Sequence, residues 1–74
     1  MSEAEQINSR IQLLIGLEPK MKKDLEKISE SITFAAPEML PSWCEEVNCV
    51  LRSYIPREHP ERRQVCRIWN APLA

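Results

Sequence analysis

IQLLIGLEPKMKKDLEKISESI, residues 11–32, is the stretch whose reading decides the fold. Ile11, Leu14, Met21, Leu25, Ile28 and Ile32 recur within it at steps of three, four or seven, and Ala4, Ile7 and Ala35 extend the row at its two ends. Residues so spaced share one side of a helix, so this row is an apolar stripe along helical backbone. The runs of Val, Ile, Thr and aromatic residues that mark strands are missing, and a single glycine argues against tight hairpins. The fold class is therefore all-α.

Two features inside the stretch compete over its topology. Gly16 and Leu17 followed by Pro19 read as a Schellman stop, with Pro19 opening a new helix. Against this, the stripe keeps its phase from Leu14 to Met21, as in one long kinked helix. Lys20, Lys22 and Lys23 would also crowd the first turn of a new helix, where the dipole disfavours cations. An interior proline costs about 3 kcal/mol and an interior glycine about 1, against roughly 0.3–1 for each misplaced lysine. The break is favoured, giving an N-terminal helical hairpin with helices over about 3–15 and 19–35.

The first of these helices opens on Ser2-Glu3-Ala4-Glu5, a capping box in which hydroxyl and carboxylate each satisfy a backbone N–H of the other residue. Beyond the hairpin, Pro37 and Pro41 bound a linker over about 36–41. Ser42-Trp43-Cys44-Glu45 is a second capping box. It opens a third helix over about 42–54, whose core side is expected to carry Trp43, Val47, Val50, Leu51 and Tyr54. Pro56 ends that helix. Pro60 opens a short fourth over about 60–69, with Val65, Ile68 and Trp69 on its apolar side and Arg63, Arg67 and Asn70 opposite. The whole chain, 1–74, is read as one domain of three or four helices.

A domain of 74 residues is marginal, burying only about 60 % of the surface its unfolded chain exposes. Five of the seven residues from Ile11 to Leu17 are Ile or Leu, and Leu13, Ile15, Leu17 and Phe34 lie off the main stripe. That is more apolar surface than one seam between two helices hides. The expectation is a homodimer through Ile7, Ile11, Leu14, Met21, Leu25, Ile28 and Ile32, since isologous pairing is the commonest oligomeric solution. The competing reading is a monomeric four-helix core built from the same residues.

Charge and cysteine content narrow the function classes. Net charge is −1, without the basic excess that generic affinity for nucleic acid or anionic membranes requires. No apolar run approaches a membrane span, and Met1-Ser2-Glu3-Ala4-Glu5 is no secretory signal. Three cysteines suit reduced thiols, so the expected location is cytoplasmic. Cys44, Cys49, His59 and Cys66 are types that zinc accepts, but Cys44 and Cys49 diverge by about 140° on a helix. Cysteine, histidine and carboxylate for nucleophilic catalysis exist, yet so short a chain rarely encloses a water-free cleft. No cofactor is implied, and the protein is read as not an enzyme.

Binding is what remains. Residues 37–48 carry Glu38, Glu45 and Glu46 with no base, while residues 52–69 hold five arginines against two glutamates. Arginine suits carboxylate and phosphate contacts better than lysine, and ion pairing between the two segments, within a chain or across a dimer, is the ordinary use of such charges. The expected function is a non-catalytic regulator that binds and inhibits or sequesters a partner protein, such as a transcription regulator. Arg57, Arg62, Arg63, Arg67 and Trp69 are the candidate contact residues. The rival is a dimeric DNA-binding regulator reading base edges with the same arginines. It is disfavoured by the long, proline-bound connection from Ile55 to Pro60, unlike the short turn of a helix-turn-helix.

Overall fold

In a computed structural model that describes residues 2–69, Pro19 stands at the first position of a 3-10 turn, Pro19–Met21, and two helices flank it. These are α1 (Glu3–Leu17) and α2 (Lys22–Thr33). They run antiparallel: Asn8 near the start of α1 donates to Thr33 Oγ1 at 3.0 Å and accepts from Ser29 Oγ at 2.8 Å, both near the end of α2. A second 3-10 turn, Pro37–Met39, leads into α3 (Leu40–Tyr54), and α4 (Arg62–Trp69) follows the connection after Ile55. The described residues hold four α-helices and no strand. α1 packs between α2 and α4, and α2 also packs on α3.

The hairpin breaks for a reason different from the expected one. Gly16 stays inside α1, and no left-handed backbone angle occurs there, so the Schellman stop is corrected. Glu18 ends the helix instead. It takes an extended conformation (φ −137°, ψ 93°), as a residue before proline prefers, and its N–H still donates to Leu14 O at 3.0 Å. Its carboxylate then accepts from Lys20 N at 3.2 Å. An anion therefore caps the second segment where three lysines gather, which offsets the dipole penalty that argued for one long helix. The Ser2 hydroxyl accepts from Glu5 N at 3.2 Å, so α1 begins on its expected cap.

The stripe is the core of one chain rather than a face left open for a second. Ile11, Leu14, Met21, Leu25 and Ile32 have no exposure at all, and Ile7 and Ile28 are buried with them. α3 contributes Leu40, Val47 and Leu51, α4 contributes Val65 and Trp69, and Ile55 closes the group from the end of α3. The stripe is thus covered by the chain's own second half, and of the off-stripe residues Ile15 and Leu17 border the core while Leu13 and Phe34 stay outside. Small side differences remain. Trp43 and Val50 only border this core, and Tyr54, expected within it, stands outside with its hydroxyl donating to Asp24 Oδ2 at 2.8 Å.

Helix boundaries shift for local reasons. The expected linker over 36–41 is largely helical, because Pro37 and Pro41 both occupy early helical positions, where a missing N–H costs nothing. α4 starts at Arg62 rather than Pro60, since His59 N donates to Pro56 O and Arg62 N to His59 O, closing turns that delay the helix.

Candidate interaction surfaces

With the core closed, four large apolar side chains among the described residues remain outside: Leu13, Phe34, Met39 and Tyr54. Phe34 is the extreme case, 86 % exposed at the residue that ends α2. Its backbone N–H bends back to Ser31 O at 3.3 Å, which turns the chain toward Pro37 and carries the ring off the buried row. Lys27, Glu30, Ser31 and Phe34 line one shallow hollow, so the ring forms a wall of a depression framed by one cation and one anion. Leu13 is 60 % exposed on α1 and Met39 sits on the turn after Phe34. Phe34 and Leu13 lay off the stripe in the sequence, the one signal that could have marked them as surface.

The arginine candidates divide. Trp69 is corrected outright: it is 5 % exposed, its ring in the core and its indole N–H donating to Asn48 Oδ1 on α3. It ties α4 to α3 and offers nothing to a partner. Arg62 is half-buried and donates from Nη1 to Ile55 O at 2.7 Å, satisfying a carbonyl at the end of α3. Arg57, Arg63 and Arg67 are exposed. Arg63 and Arg67 stand one turn apart on α4, and Asn70, read as their companion, lies outside the described residues.

His59 is half-buried, with a contact at each ring nitrogen. Nδ1 accepts from Glu61 N at 3.0 Å, and Nε2 lies 3.6 Å from Glu18 Oε2. This contact links the α1–α2 corner to the α3–α4 connection. Arg57, His59, Pro60, Arg62, Arg63 and Cys66 line a second open hollow beside it. Among the described residues, no ion pair joins Glu38, Glu45 or Glu46 to Arg52, Arg57, Arg63 or Arg67.

The cysteines are separate from one another. Cys44 and Cys66 are half-buried against the core, and Cys49 is exposed with Arg52 Nη2 3.4 Å from its sulfur. Burial first, and then the Glu3 carboxylate, push the Cys44 thiol above the usual thiol range. Among the described residues, no three His, Cys, Asp or Glu side chains converge as a metal site would require. No helix of those residues is long and apolar enough to cross a membrane.

Helix-turn-helix geometry is also unlike what is found, because α3 packs mainly on α2 and α4 mainly on α1. Compared with protein-family models, curated proteins and solved structures, the chain matches none of them.

Proposed function

We propose that this protein is a non-catalytic protein–protein interaction regulator, which docks on a partner protein through the Phe34 surface and so inhibits or sequesters it. The exposure of Phe34 is the observation that carries this reading. Burying a phenylalanine is worth about 1.5–3 kcal/mol, and the fold leaves nearly all of that unused. Large aromatic side chains that fill a partner's pocket are the residues that dominate interfaces. Here the ring projects from the end of a rigid helix beside Lys27 and Glu30, which supply a polar rim.

A homodimer belongs to this proposal only through the same leftover side chains, Phe34, Leu13 and Met39, because the stripe is already spent inside the chain. The partner is a cytoplasmic protein such as a transcription regulator. The test is affinity capture from the native host with the unaltered protein and with Phe34→Ser, each verified to fold by its thermal melt. The reading expects one discrete protein, enriched with the unaltered chain and lost with the variant. Equal recovery by both would refute it. Sedimentation over a range of concentrations decides whether that captured protein is a second copy.

A further inference from the structure

A hollow lies between the α3–α4 connection and the first turn of α4. Arg57, Arg62 and Arg63 line it, with His59, Pro60 and Cys66. Its framework is fixed: Arg62 is anchored on Ile55 O, and His59 is held between Glu61 N and Glu18. Arg57 and Arg63 face it without a carboxylate partner among the described residues, although the chain carries as many acidic as basic groups to within one charge. Arg67 extends the cationic edge by one further turn of α4.

Resting on the partner-binding reading above, we propose that this hollow receives an acidic segment of the partner protein, its carboxylates lying against Arg57, Arg63 and Arg67. Planar guanidinium groups take carboxylates in a two-pronged fashion, stronger and more directional than a contact to a lysine. A nucleic-acid backbone fits less well. It needs a continuous track of cations, whereas Arg57, Arg62 and Arg63 line one hollow and are interrupted by Glu58 and Glu61 on a chain of net charge −1. Orienting contacts at this hollow would complement the apolar anchor at Phe34, one giving register and the other affinity.

The experiment is a fluorescence-anisotropy titration of the full chain with a short labelled peptide of Asp and Glu residues at physiological ionic strength. Saturable binding is expected, about tenfold weaker for each of Arg57→Gln and Arg63→Gln. The control is Lys22→Gln with Lys23→Gln, which removes twice the charge of either arginine variant from the exposed start of α2 and should leave binding unchanged. The proposal is overturned by an absence of saturable binding, by an equal loss in the lysine control, or by tighter binding of a labelled duplex DNA. If the peptide fails while Phe34→Ser still abolishes capture, only this inference falls; if Phe34→Ser captures normally, the docking reading itself falls.

Discussion

Leu13 and Leu14 are neighbours in the sequence and opposites in the fold, and truncating each to alanine separates a closed monomeric core from a shared one. Leu14 has no exposure, whereas Leu13 is 60 % exposed. Removing a fully buried leucine costs about 2–5 kcal/mol, combining lost transfer energy with the cavity left behind. At Leu13 only the covered two-fifths of the side chain contributes. A fully buried leucine is worth about 1.5–3 kcal/mol, so the loss there is roughly 1 kcal/mol or less, and alanine's better helix propensity reduces it further. For a domain of this size each kcal/mol moves the melting midpoint by about 4–8 °C. Leu14→Ala should therefore lower it by about 10 °C or more, and Leu13→Ala by no more than about 5 °C. Circular-dichroism melts at several protein concentrations read both quantities at once. If Leu14 contacted a second copy, its penalty would change with concentration. A concentration-dependent loss at Leu14, or equal losses at the two sites, would refute the closed core.

Three other outcomes follow from the same structure. Gly16 lies inside α1 with open space where a Cβ would stand, so Gly16→Ala should stabilise by about 1 kcal/mol; a loss in urea unfolding would instead mean a left-handed cap. Asn48→Ala strips the buried Trp69 indole of its acceptor and should cost about 1–3 kcal/mol, with a changed tryptophan emission; an unperturbed melt and spectrum would show that the contact does not form. Alkaline pH should destabilise the fold. Burial raises the Cys44 thiol, and the hydrogen bond to Asp24 raises the Tyr54 phenol. Both folded groups hold their protons where the unfolded chain has begun to release them. Their contribution is therefore whole below the unfolded titrations and is lost as pH climbs through the folded ones. Urea midpoints that rise on the alkaline side would contradict this, and Tyr54→Phe should flatten part of the fall.

Much of the architecture was legible because one physical signal, the helical recurrence of apolar residues, survives without tertiary information. Ile7 through Ile32 are the core that their spacing implied. What spacing could not supply was the cover. Leu40 and Ile55 are core residues on the same helical row as Val47 and Leu51, but both fall outside the helix expected over about 42–54, so the second half of the chain looked too poor to close over the hairpin. That shortfall led to the expectation of a second copy across the stripe. Trp69 was misplaced for a related reason: on a helix of eight residues the apolar side is too narrow to say which members are covered, and the acceptor on Asn48 lies 21 positions away. Glu18 carried no distinctive motif, yet it ends α1, caps the next turn and meets His59. The candidate surfaces were half legible. Arg57, Arg63 and Arg67 could be chosen on charge, while the prominence of Phe34 depends on a turn whose direction the sequence does not spell out.

The most direct test of the docking account places a photo-crosslinking amino acid at position 34 and, as its comparison, at exposed position 52 on α3, and irradiates both in the native host. The account predicts a discrete adduct with one other protein from position 34 and none of that mass from position 52. No adduct from position 34, or the same adducts from both positions, would contradict it.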